Sequence, residues 1–348
     1  MPFMAWKFGR TNTSPKQERA VEMPSTNLIK PIFIFSLPRS GSTLLQRIIA
    51  SHPDVATTEE PWLLLPMFGA LGFLGTCAEY NHEGASRAIT KFAEKLPNGT
   101  QDYFDAIQFF ACNLYEKSAG DKKFFLDKTP RYHVISAEIM RAFPDAKFVF
   151  LIRHPIAIYA SVIQTWKYSH IFNYDLYLGF DKLYQSLKSP GTPIHLVRYE
   201  ELVTSPQPVV QSMCKYLGLD FQNDMLDNFS QIEFPSGALG NPIPQQTNRK
   251  QIHNDSRDKW QIFLCENFMR KRLALSYLNY IGEERMTTLG YDYFETQRIL
   301  DNGIVGLKNL HIDISNIIRG LLSISLESDM LKRRISSLLK GHRVYTHR

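Results

Sequence analysis

Three times along the chain a run of five or six apolar residues gives way to a short polar turn and then to apolar residues at three-or-four spacing. Pro31-Ile-Phe-Ile-Phe-Ser36 runs into Leu37-Pro-Arg-Ser-Gly-Ser-Thr43 and a helix-like Leu44 to Ala50. Lys147-Phe-Val-Phe-Leu-Ile152 runs into Arg153-His-Pro155 and a helical segment from Ile156 to about Trp166. Ile194-His-Leu-Val-Arg-Tyr199 precedes a segment from Pro208 to Leu217 that is again helical in spacing. Continuous apolar strands alternating with helices predict an α/β fold, a central parallel sheet flanked by helices, whose ligands bind outside the carboxyl ends of the strands. Beyond Gln297 residues such as Leu310, Ile314, Ile317 and Leu321 keep helical spacing. The chain thus divides into a polar arm (residues 1–29), a single domain (30–295) and an amphipathic basic helical tail (296–348).

Composition narrows this picture. Of 348 residues, 44% are hydrophobic and 21% charged, with 19 Gly and 19 Pro, which excludes a disordered or collagen-like chain. The formal net charge is +6, but residues 296–348 carry nine Lys/Arg against four Asp/Glu and residues 1–30 five against two, leaving the body slightly acidic. The basic balance belongs to the two ends, so no nucleic-acid partner is expected. Cys77, Cys112, Cys214 and Cys265 lie far apart with no metal-ligand spacing. They read as reduced thiols of a cytoplasmic protein that holds no metal. The first thirty residues contain no apolar run of signal-peptide length. Pro61 to Ala78 is uncharged and mostly apolar, yet Pro66, Gly69, Gly72 and Gly75 interrupt it. A buried loop or short helix is expected there, and no transmembrane span anywhere. Residues 236–258, rich in Pro, Asn and Gln, read as a long loop of the kind that forms lids.

The turn Pro38-Arg-Ser-Gly-Ser-Thr43 stands where a strand hands over to a helix. Unsatisfied amides of a first helical turn make an anion site there, Gly41 lets the backbone approach, Ser42 and Thr43 offer hydroxyls, and Arg39 adds a forked charge. This suits a phosphate or sulfate group in a P-loop-like domain. It is not a Walker A loop, because the G-x-x-x-x-G-K-[ST] spacing and its lysine are missing. A second candidate anion site pairs Arg153, at a strand end, with Ser161 two helical turns on. Two anion sites at adjacent strand ends suit a nucleotide with two separated anionic groups. A Ser/Gly turn that merely caps a helix is the competing reading of the first loop.

These residues resemble a known family. Leu37-Pro-Arg-Ser-Gly-Ser-Thr-Leu-Leu45 with Ser51-His-Pro-Asp54 is similar to the 5′-phosphosulfate loop of sulfotransferases that use 3′-phosphoadenosine 5′-phosphosulfate (PAPS). Phe150-Leu-Ile-Arg-His-Pro155 with Ser161 resembles their 3′-phosphate motif, Arg198-Tyr-Glu-Glu-Leu-Val203 the next block, and Lys259-Trp260 the end of a loop that folds over the cofactor. Glu59-Glu60 and Asp127-Lys128-Thr-Pro130 bring the pattern closest to the tyrosylprotein sulfotransferase-like branch, although Thr165 replaces a basic residue of that branch. The resemblance implies sulfuryl transfer from PAPS, with PAP (adenosine 3′,5′-bisphosphate) as product, to a hydroxyl or amine of a small-molecule, glycan or peptide acceptor. It implies Glu60 as catalytic base, Lys128 beside the bridging oxygen and Arg39 as a further stabiliser of the transition state. It also implies Arg39, Ser40, Gly41, Ser42 and Thr43 around the 5′-phosphosulfate, Arg153 and Ser161 on the 3′-phosphate, and Tyr199 and Lys259 as further donor contacts.

Each assignment has a plainer competitor. Glu60 could be a surface carboxylate, and His133 is the rival base because histidine titrates near neutrality. Tyr199 reads equally as a buried phenol or an adenosine contact, while Arg198 and Glu200 read as structural partners. The stripe Trp62, Leu63, Leu64, Met67 and Phe68 reads as core that could also line an acceptor pocket. The tail reads as a helix packed on the body or on a second copy in a homodimer. A nucleotide kinase or NTPase, and a non-catalytic PAP-binding module, remain the competing functions.

Overall fold

The computed structural model describes residues 29–69, 82–167, 174–189, 191–232, 252, 257–303 and 306–325. Five parallel strands, β1 (Lys30–Phe35), β2 (Val55–Thr57), β3 (Phe124–Asp127), β4 (Lys147–Ile152) and β5 (Ile194–Arg198), form one sheet in the order β2-β3-β1-β4-β5. In the register, Phe33 of β1 sits opposite Asp127 of β3 on one side and Phe148 of β4 on the other. The connection from β1 passes over β3 to reach β2 while that from β4 runs the other way to β5, so a crevice opens between the carboxyl ends of β1 and β4. That crevice is where such sheets bind ligands.

Side chains alternate across the sheet, as the period of two requires. Phe33, Phe35, Phe125, Phe148 and Phe150 point to one face, where rings of β1 and β4 stack 5.8–5.9 Å apart. Helices α1 (Ser42–Ala50), α2 (Leu64–Gly69), α3 (His82–Ala93), α4 (Thr100–Ala119), α5 (Ser136–Ala142), α6 (Pro155–Trp166) and α7 (Phe180–Leu187) follow in chain order. Apolar residues of α4, α5, α6 and α7 cover the phenylalanine face. Ile32, Ile34, Leu126, Val149, Leu151 and Val197 point the other way, under α1 and under α8 (Tyr199–Thr204) and α9 (Pro206–Leu217). Both faces are dry, which is why the strands read as unbroken apolar runs.

The three strands read from sequence are present, with β5 ending one residue early because Tyr199 opens α8. β2 went unread, since three residues carry no periodicity. Helix α9 starts at Pro206, two residues before the expected start, with proline where its missing N–H costs nothing, and stops at Gly218 in a left-handed conformation (φ 76°). Segment 61–78 contains the short helix α2, whose Leu64 and Phe68 are fully buried core. The tail contributes the helix Leu310–Ser325. Residues 1–28, most of the 236–258 loop, Cys77 and residues 326–348 lie outside the described residues. No helix among the described residues is long and apolar enough to cross a membrane. Cys112 and Cys214 are buried free thiols whose pKa burial pushes up to about 11.

Candidate active site

The glycine turn follows β1 directly. Ser40 N–H donates to Leu37 O (3.3 Å), Gly41 takes the left-handed conformation (φ 95°), and Leu44 and Leu45 N–H both return to Gly41 O (3.0 and 3.2 Å). No side chain caps α1. Gly41 thus stands at the N-cap without a side-chain cap, which leaves the Ser42 and Thr43 amides at the start of the helix without an intrahelical partner. Arg39 also has a left-handed φ (68°), a strained choice for a residue with a Cβ. Ser40 is buried, and among the described residues its Oγ has no hydrogen-bond partner. A Cβ on Gly41 would lie 2.6 Å from Tyr199 Cδ2, so the turn and the aromatic ring are fitted to each other.

A control separates that fit from the backbone effect. Gly218 is also left-handed (φ 76°), but among the described residues nothing lies within 4 Å of its absent Cβ. Gly218→Ala should cost the left-handed penalty of about 1–2 kcal/mol. Gly41→Ala should melt at a clearly lower temperature than Gly218→Ala, because Tyr199 must also move. Equal thermal shifts would refute the tight fit.

Arg153 leaves β4, the neighbour of β1. Its NH1 donates to the carbonyl of Arg39 (2.9 Å), and its guanidinium lies 4.5 Å from the Tyr199 ring centroid. Arg39 Nε donates in turn to Ser161 Oγ on α6 (3.2 Å), and its guanidinium is 5.5 Å from the Trp166 ring. The two predicted anion sites are thus one connected patch. Burial, and then the charge of Arg153, holds the Arg39 pKa below its ordinary value. A bound anion would relieve that repulsion.

Behind the patch, His154 stacks on Trp260 (5.1 Å) and is pushed down to about 3, mainly by burial and then by Arg153, so it stays neutral. Glu200 accepts from His154 N–H (3.0 Å) and from Tyr291 O–H (2.7 Å), and Arg198 donates to Leu289 O (3.0 Å) and Glu201 (3.0 Å). These are scaffold contacts. Lys259 is exposed at the start of the helix Lys259–Cys265, and among the described residues no hydrogen bond or ion pair joins it to Arg39, Arg153 or Ser161.

On the other side of β1, Lys128 directly follows β3. Its Nζ lies 2.7 Å from Glu60 Oε1, with the two side chains only 4% and 9% exposed, so Glu60 is not a surface carboxylate. Trp62, left-handed at φ 53°, donates its indole N–H to Glu60 Oε2 (3.4 Å). Gln46, fully buried on α1, donates to Thr58 O (2.7 Å) and Thr57 Oγ1 (3.0 Å) just ahead of the glutamate. The rival base His133 is 1% exposed, its Nδ1 bonded to Pro130 O (2.8 Å) and its Nε2 3.3 Å from Asp175. It is held inside the 3₁₀ turn Tyr132–Ile135, a structural histidine.

Lys128, Gly41 and Arg153 therefore stand at the ends of three successive strands, β3, β1 and β4. With about 4.8 Å between neighbouring strands, the backbones of β3 and β4, which carry Lys128 and Arg153 at their ends, lie roughly 10 Å apart with β1 between them. Gln46, Trp62, Asp127, Thr129 and Tyr132 complete the surroundings; of these the sequence reading offered Trp62 as lining of an acceptor pocket and quoted Asp127 and Thr129 only as motif neighbours of Lys128. For Gln46 the available signal was a polar residue inside the apolar face of α1.

Basic turns at adjacent strand ends of a parallel sheet thus stand beside a buried carboxylate–ammonium pair. The profile of the Sulfotransferase family matches residues 31–223, and the chain belongs to that family. Sulfuryl transfer is the activity that membership carries. The chain is 28% identical over 302 residues to "Nodulation protein NoeE" of Sinorhizobium fredii, spanning 78% of this chain and 68% of that protein. It is 24% identical over 241 residues to "Protein-tyrosine sulfotransferase 2" of Gallus gallus, covering 66% and 62%. Among solved structures, the sulfotransferase domain from the curacin biosynthetic pathway superimposes with a TM-score of 0.48 at 20% identity, over 73% of this chain and 99% of that one.

Proposed function

We propose that the protein transfers the sulfuryl group of PAPS to a hydroxyl or amine of a small-molecule, glycan or peptide acceptor. The observation that carries this reading is the hydrogen bond from Arg153 to the Arg39 carbonyl, which fuses two anion-binding turns into a single basic site. The Ser40 hydroxyl, buried and without a hydrogen-bond partner among the described residues, fits a bound anionic group there. Arg39, Ser40, Gly41, Ser42 and Thr43 hold the 5′-phosphosulfate, Arg153 and Ser161 the 3′-phosphate, and Tyr199 and Lys259 contact the donor further out. Bound PAPS supplies an activated sulfuryl group. Sulfuryl transfer then needs an aligned nucleophile and compensation for charge growing on the leaving oxygen. Glu60 accepts the proton of the attacking hydroxyl, and Lys128 and Arg39 stabilise the developing charge. The similarity to a protein-tyrosine sulfotransferase supports a peptide among the candidate acceptors. The free thiols of Cys112, Cys214 and Cys265 support a reducing compartment such as the cytoplasm.

Sulfur-labelled PAPS, incubated with the purified protein and a panel of phenols, glycans and peptides, tests the proposal. Protein-dependent label transfer is expected. PAP binding without transfer would make the chain a binding module, and the absence of both transfer and PAP binding would overturn the reading.

A further inference from the structure

We propose that Asp127 is a positioning residue that holds the Glu60–Lys128 pair in its working geometry through two hydroxyl relays. The inference rests on the reading of Glu60 and Lys128 as catalytic groups. Asp127 closes β3 and is fully buried. Its Oδ2 accepts from Tyr115 O–H on α4 (2.5 Å) and Tyr132 O–H (3.0 Å), and its Oδ1 accepts from Thr129 O–H (3.2 Å). Two of these hydroxyls also accept from the backbone that carries the base. Trp62 N–H donates to Thr129 Oγ1 (3.3 Å) and Leu64 N–H to Tyr132 O–H (3.1 Å).

The consequence is directional. A hydroxyl that accepts from an amide must send its own proton elsewhere, and the carboxylate is where both protons go. Residues 62 and 64 are thereby bolted to β3, Gln46 grips residues 57 and 58 from the opposite side, and Glu60 is suspended between the two anchors. Lys128, next in sequence to Asp127, inherits its position from the same hub. This arrangement also makes the left-handed Trp62 tenable, since its amide has a fixed partner.

The phenols of the hub keep their protons. Burial raises the pKa of Tyr115 and Tyr132 well above the phenol value, and burial raises that of Asp127 to about 6 despite its three donors and the nearby Lys128. The titratable groups around Asp127 are Tyr115, Tyr132 and Lys128, with Cys112 beside Tyr115, and only Lys128 is a cation. As pH falls through about 6 the carboxyl gains a proton and the oxygen that carries it becomes a donor, so the three hydroxyl protons no longer all find an acceptor and the bolt loosens on acidification.

The test compares wild type with Asp127→Asn, which is nearly isosteric but cannot ionise, by label transfer and by calorimetric PAP binding. Asp127→Asn should lower kcat about tenfold with the PAP Kd held within twofold, and should lose the acid limb that wild-type kcat shows near pH 6. Thr129→Val, which cuts one relay alone, should lower kcat in the same direction and serves if Asp127→Asn does not fold. A wild-type kcat and pH profile in the variant that folds would overturn the inference, as would parallel loss of kcat and PAP affinity. If wild type and Asp127→Asn transfer label equally while Glu60→Gln does not, only the positioning role fails. If wild type transfers none, the reading of the site fails with it.

Discussion

Glu60→Gln should lower turnover by about 10²–10⁴-fold, the usual worth of a positioned general base. PAP affinity should stay within twofold of wild type. The substitution keeps the shape of the side chain and an acceptor oxygen for the Trp62 indole, but it removes the proton sink and the charge that meets Lys128. Because that pair is almost wholly buried, an unpartnered ammonium is costly. Some loss of thermal stability is therefore expected alongside the lost turnover. Measuring kcat and the PAP Kd on one preparation separates the two effects. A variant with unchanged kcat would remove Glu60 from the chemistry, and with His133 sealed inside its turn no other base was nominated from the sequence.

Arg153→Ala has the opposite profile. A charge-assisted hydrogen bond contributes about 1.5–3 kcal/mol, so PAP affinity should fall by about 10–100-fold. The variant also loses the anchor on the Arg39 carbonyl and the cation on the Tyr199 ring, which loosens a turn whose residue 39 is already strained. At saturating donor, kcat should change much less than Kd, because neither Glu60 nor Lys128 touches this side chain. Calorimetry with PAP reads the first effect and label transfer the second. Equal losses in Glu60→Gln and Arg153→Ala would contradict the division of labour between the two sides of β1.

The sequence carried the fold where a strand is dry on both faces and long enough to stand out. β1, β4 and β5 were legible for that reason, and so were the turns that end them, since Gly41 and Arg153 sit at fixed distances from apolar runs. β2 is three residues long and was invisible. The site divided along the same line. Local chemistry, namely a glycine turn with hydroxyls and an arginine at a strand end, could be read in one dimension. The Asp127 hub could not, because Tyr115 lies on α4, Tyr132 in a later turn, and the amides they serve near residue 62. Only the crossing of β1 over β3 brings these segments together. Lys259 was suggested by motif alone; it is exposed at the start of a helix anchored beside the site through Trp260.

The account stands or falls on whether the turns after β1 and β4 grip two ends of a single adenosine nucleotide. Calorimetric titration of wild type and Arg153→Ala with PAP and with adenosine 5′-phosphate, which lacks the 3′-phosphate, addresses this directly. Wild type should prefer PAP by about 10–100-fold, and Arg153→Ala should bind both ligands alike. Equal affinity of the wild type for the two nucleotides, or a preference that survives removal of Arg153, would contradict it.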